Sequence, residues 1–148
     1  MSLEQTISEA IKTAMREKDR VALDSLRAVK AQILLLQTEA RGAEVSPEQE
    51  IAILQRMIKQ RKDSYEQFTA QGRTDLAEVE EAQSKVIEKF LPKQLSAEEL
   101  ESEIKKIISE TGAESLKDLG KVMGVASKAL AGKSDGKTIS EMVKKLLS

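Results

Sequence analysis

Ser46-Pro-Glu-Gln-Glu-Ile-Ala-Ile-Leu-Gln-Arg-Met-Ile-Lys-Gln-Arg-Lys-Asp-Ser-Tyr-Glu-Gln-Phe-Thr-Ala-Gln-Gly72 is the stretch whose reading settles the fold class. A serine cap, proline at the first helical position and Gln49 to close the box make a complete helix start. Together they satisfy or remove backbone donors that a helix N-terminus leaves unpaired. Ile51, Leu54, Ile58, Arg61, Tyr65 and Phe68 then recur at spacings of three and four, which places them on one helical stripe, and Gly72 ends the run. Arg61 interrupts an otherwise apolar seam. Its charge cannot be shed, so it must meet a carboxylate or an anionic ligand, and Asp75 or Glu81 from the following helix is the expected partner.

A seam of this length needs other helices to cover it, and both flanks supply them. Upstream, Asp19 can cap a helix running to about Ala40, with Ala22, Leu26, Val29, Ile33 and Leu36 at heptad spacing. Leu23 and Leu34 widen that face, Lys30 can lie at its edge, and Gly42 closes the helix. Before it, Ser2 with Gln5 forms a capping box for a first helix carrying Leu3, Ile7, Ala10, Ile11 and Ala14. Downstream, Leu76, Val79, Val86 and Phe90, with Gln83 as the polar member, mark a fourth helix. It stops where Pro92 restricts Leu91 away from helical geometry.

Composition agrees. Aromatics make up 2% of the 148 residues and charged residues 33%, so the material of a β-sandwich or barrel is missing and good helix formers dominate. An all-α fold is expected. With no cysteine and no histidine, disulfides, thiolate chemistry, the commonest general base and the commonest metal ligand are all excluded. No apolar run approaches the roughly 20 residues that cross a bilayer. The amino terminus lacks a basic segment followed by an apolar one. A soluble, cytoplasmic protein with no cofactor, no metal and no membrane association is the expectation.

Pro92 to Leu95 is the best boundary in the chain, giving an expected amino-terminal helical domain of long hairpins at 1–92 and a small three-helix tail domain at 93–148. In the tail, Ser96 and Glu99 make a capping box for a helix with Leu100, Ile104, Ile107 and Ile108, ending at Gly112. Ser115 with Asp118 is expected to cap the next helix, which should end at Gly132. Thr138 with Glu141 is expected to cap the last, which carries Ile139, Met142, Val143, Leu146 and Leu147.

The middle tail helix carries the candidate site. Leu119, Met123, Ala126 and Leu130 fall on one stripe while Lys121, Gly124 and Lys128 fall opposite, so the basic face is also a glycine face. A missing side chain between two lysines leaves room for a ligand backbone, phosphate above all. The competing reading is a solvated face whose Gly120 and Gly124 permit close helix packing. Charge is uneven as well. From Ser115 onward seven lysines face three acids, a formal +4 within a chain of net −1, which suits an anionic partner docking at that end. A second basic cluster, Arg56, Lys59 and Lys62, can line one side of the third helix.

Ile11-Lys-Thr-Ala-Met-Arg-Glu-Lys-Asp-Arg20, Leu26-Arg27, Met57-Ile-Lys-Gln-Arg-Lys-Asp-Ser64, Gly72-Arg-Thr-Asp-Leu-Ala77 and Phe90-Leu-Pro-Lys-Gln-Leu95 resemble the YqeY family. The segment from Leu119 to Leu147 is similar to the tail that this family shares with the B subunit of the glutamine-dependent aspartyl/glutamyl-tRNA amidotransferase. The resemblance implies a two-domain all-α protein and a tail that contacts tRNA. Carried onto this chain, that role falls on Gly120, Lys121, Gly124, Lys128, Lys133 and Lys137. It also implies a relationship to a carbon-nitrogen ligase that uses glutamine as amido donor.

Catalysis by the chain alone is not expected. Amide transfer needs an activated serine nucleophile and a separate site for ATP and magnesium. Gly132-Lys-Ser134 lacks the earlier glycine and the preceding strand of a phosphate-binding loop. Glu78, Glu80 and Glu81 with Asp75 read as a solvated acidic face. Two hypotheses remain: a tRNA-binding accessory module, or a protein-interaction module docking on an amidotransferase or a tRNA synthetase.

Overall fold

The computed structural model describes residues 2–148 and contains seven α-helices, one 3-10 turn and, among the described residues, no strand. The helices are α1 (Leu3–Glu17), α2 (Arg20–Glu39), α3 (Pro47–Ala70), α4 (Thr74–Glu88), α5 (Ala97–Thr111), α6 (Leu119–Ala129) and α7 (Gly136–Leu147), with the turn at Leu116–Asp118. The chain divides into two compact units, one ending at Leu91 and the other beginning at Pro92.

In the first unit, α1 and α2 form one hairpin and α3 and α4 another, and α2 packs on α1, α3 and α4. Local sequence explains the starts. Ser2 and Gln5 form a reciprocal capping box, Ser46 and Gln49 a second, and Asp19 accepts from the Ala22 N–H at 3.1 Å. The tight α3–α4 turn requires Gly72, whose φ of 72° lies in the left-handed region that side chains disfavour. Ile7, Leu26, Val29, Ile33, Ile53, Leu54, Met57, Ile58 and Ile87 form the core. Two side-chain bonds tie the helix ends together: Gln37 Nε2 donates to Glu4 Oε2 at 2.8 Å, and the Leu3 N–H donates to Glu50 Oε2 at 3.0 Å.

Three expectations for this unit change. Leu34 does not widen the buried face of α2, since it is 43% exposed, and Val79 on α4 is equally exposed. The α4 seam instead runs through Ala77, Ser84 and Ile87. Arg61 does not pair with Asp75 or Glu81. Asp75 is held by Arg73 through two hydrogen bonds at 3.2 and 3.1 Å, and Glu81 by Lys85 at 3.4 Å.

The second unit packs α5, α6 and α7 around Leu100, Ile104, Val122, Ala126, Leu130, Ile139 and Val143. Its entry segment is pinned to the α6–α7 connection. The Leu95 N–H donates to the Lys133 carbonyl at 2.9 Å, and Gln94 Nε2 donates to the Gly132 carbonyl at 2.6 Å. Two caps differ from expectation. Ser115 caps the 3-10 turn through the Lys117 N–H, while Asp118 accepts from the Glu114 N–H, so neither side chain caps α6. The last helix starts earlier than Thr138: Asp135 is its cap, with Oδ1 accepting from the Thr138 N–H at 2.7 Å.

Candidate nucleic-acid interface

The apolar stripe of α6 is centred on Val122 and Ala126, both fully buried, with Leu119 and Met123 at its edges. That centring turns Gly120, Lys121, Gly124 and Lys128 outward, where they line one shallow, open depression together with Val125 and Ala129. A Cβ built at Gly120 or Gly124 would meet nothing within 4 Å. The glycines therefore do not serve close helix packing. Gly124 leaves bare main chain on the surface between two exposed lysines, and Gly120 extends that bare strip by one turn.

Lys133 and Lys137 are exposed but lie outside that depression, in the α6–α7 connection and the first turn of α7. Their positions follow from the Asp135 cap, which places Lys137 inside the helix. Periodicity alone does not single out Val125 and Ala129, because apolar residues on a basic face carry no chemistry of their own. The usable signal was their i+1 and i+5 spacing from Gly124. Val125 is 41% exposed and gives the depression an apolar floor.

The second basic cluster lies exposed along α3, with two of its members engaged by neighbouring helices. Arg56 Nη2 donates to Gln32 Oε1 at 3.1 Å, Lys62 pairs with Glu88 at 3.6 Å, and Lys59 is exposed. Arg61, half-buried on the same helix, donates from Nε to Gln83 Oε1 at 3.1 Å and from Nη1 to the Met57 carbonyl at 3.2 Å. Burial lowers its pKa from the ordinary arginine value, with the Glu80 carboxylate pulling it back up.

Among the described residues no group of three or more acidic, histidine or cysteine side chains is arranged to hold a metal ion. No helix among them is long and apolar enough to cross a membrane.

The family model described as Yqey-like protein matches residues 4–147. The chain belongs to the YqeY family. Similar curated proteins are fungal and carry the name Altered inheritance of mitochondria protein 41, mitochondrial. That of Meyerozyma guilliermondii is 36% identical over 91 residues, covering 58% of this chain and 44% of the relative. That of Pyrenophora tritici-repentis is 28% identical over 139 residues, covering 93% of this chain and 76% of the relative. That of Lachancea thermotolerans is 29% identical over 99 residues, covering 67% and 53%. This YqeY-family chain thus spans under half of the first relative's length and about half of the third's.

Proposed function

We propose that the tail unit of this YqeY-family chain binds tRNA through the open face of α6, as an accessory module related to the glutamine-dependent tRNA amidotransferase. The single observation that supports this reading is the unfilled space over Gly120 and Gly124. Gly124, in the middle of α6, costs about 0.5–1 kcal/mol relative to alanine. Here no neighbouring group accounts for that cost. A ligand backbone approaching the main chain accounts for it, and Lys121 and Lys128 beside the gap supply the charge for phosphate oxygens.

Recognition is by shape and phosphate. The chain's aromatic residues, Tyr65, Phe68 and Phe90, all precede the tail, so no ring there can stack a base. With Lys133 and Lys137 joining at the periphery, roughly four to six phosphate contacts give a slope of log K against log salt of about −3 to −5. The chain does not catalyse amide transfer on its own in this reading. We assign it to the cytoplasm. A fractionation blot that finds it in another compartment overturns that assignment alone.

Filter binding of bulk tRNA at two salt concentrations tests the RNA reading. The parent should bind with that slope. The Lys121→Glu, Lys128→Glu pair should bind at least about tenfold more weakly, with helix content unchanged. Saturable binding that ignores the pair, or no binding by the parent, sinks it. A second reading rests on exposed Val125: the small-residue floor suits a partner protein's helix, on an amidotransferase or a tRNA synthetase. In that case RNA binding is absent from parent and variant alike.

A further inference from the structure

The α3–α4 hairpin holds a cavity of about 260 Å³ whose wall includes Arg61, Tyr65 and Ser84. Its rim carries the ion pairs Lys62–Glu88 at 3.6 Å and Lys85–Glu81 at 3.4 Å. Ser84 is 4% exposed and its Oγ has no hydrogen-bond partner. A helical serine ordinarily returns its hydroxyl to the carbonyl four residues back. Ser25 does so, donating to the Val21 carbonyl at 2.6 Å. The Ser84 hydroxyl is instead buried without a partner, on a residue that lines the cavity.

Arg61 is incomplete in the same way. Of its five N–H donors, Nε is used on Gln83 and one Nη1 hydrogen on the Met57 carbonyl. Among the described residues it makes no ion pair. A half-buried guanidinium bonded only to neutral oxygens retains donors and charge for a ligand.

We propose that this cavity binds a small carboxylate monoanion, whose oxygens accept hydrogen bonds from the Arg61 guanidinium and the Ser84 hydroxyl. The planar guanidinium matches a carboxylate's two oxygens. Charge limits the ligand's valence: three cations and two carboxylates line the cavity, and the Glu80 carboxylate acts on Arg61 from nearby, so no more than one further negative charge is accommodated. A dianion such as phosphate leaves an excess that Glu81 and Glu88 repel. The Tyr65 ring and the stems of Lys62 and Lys85 make the rest of the wall largely apolar, which favours a hydrocarbon body behind the carboxylate. The volume restricts that body to a small one, since pockets for drug-sized ligands start near about 300 Å³.

Titration of the full-length, nitrogen-15-labelled chain with sodium benzoate, and separately with inorganic phosphate, at constant ionic strength tests this. Benzoate should shift the amides around Arg61 and Ser84 saturably, and phosphate should bind at least about tenfold more weakly. Arg61→Gln should weaken benzoate binding at least about tenfold. Ser84→Ala should weaken it about three- to tenfold without lowering the melting temperature, because the hydroxyl it removes is unpaired in the free chain. Where Arg61→Gln fails to fold, Ser84→Ala carries the test. The Lys121→Glu, Lys128→Glu pair should leave benzoate affinity unchanged, which separates this site from the tail. No saturable shift with benzoate, equal or tighter phosphate binding, or unchanged affinity in Ser84→Ala overturns the proposal.

Discussion

Gly124 sets stability against accessibility at a single position. Because nothing stands within 4 Å of the missing Cβ, Gly124→Ala should raise the stability of the tail unit by about 0.5–1 kcal/mol through lower backbone entropy in the unfolded chain. The same methyl should weaken tRNA binding. Denaturant unfolding and filter binding on one sample check both, and a variant that loses stability would show that the face is packed rather than open. Glu99 makes a different residue-level prediction. The Ser96 backbone N–H and hydroxyl hold its carboxyl below the ordinary value of 4.5. A depressed folded-state pKa contributes stability that is fully present above about pH 4.5 and is lost as the pH falls through the lower folded value. Glu99→Gln should therefore flatten the acid dependence of tail melting between about pH 6 and about pH 3.

Helix α7 shows how an element's start decides where its side chains point. Two cap signals overlap in this stretch, Asp135 followed by the Thr138 N–H and Thr138 followed by Glu141, and the earlier one wins. Starting at Gly136 adds a turn and moves Lys137 into the positive end of the helix dipole, where a cation gains nothing locally. Asp135→Ala should cost the tail about 1 kcal/mol, whereas Thr138→Val should stay within about 0.5 kcal/mol of the parent. Equilibrium unfolding of both variants checks the assignment; the reverse order would return the cap to Thr138. In α3 the period was readable from Ile51 to Phe68, yet Ile53 and Met57 are buried beside Leu54 and Ile58. A helix packed between α2 and α4 buries a wider arc than one stripe.

Two separate cores mean that stability is divided between the units. Ile104 is fully buried in the tail core, and Ile104→Ala should cost about 2–5 kcal/mol. That is a large share of what three short helices supply, so the tail should unfold while α1 to α4 keep their protection. Hydrogen exchange followed residue by residue reads this, and loss of protection throughout α1 to α4 would show the units to be one cooperative block. Helix class, most helix starts and the stops at Gly72 and Gly112 were legible in the amino-acid order, because caps and periodicity act within about four residues along the chain. Helix α6, by contrast, ends at Ala129, short of the expected Gly132. Packing answered the remaining questions. It gave Arg61 a glutamine instead of a carboxylate, exposed Leu34 and Val79, and left Gly120 and Gly124 open. Each depends on which helix lies opposite, a contact between residues far apart in the chain. A glycine on a helix face is written the same way whether a neighbour covers it or solvent does.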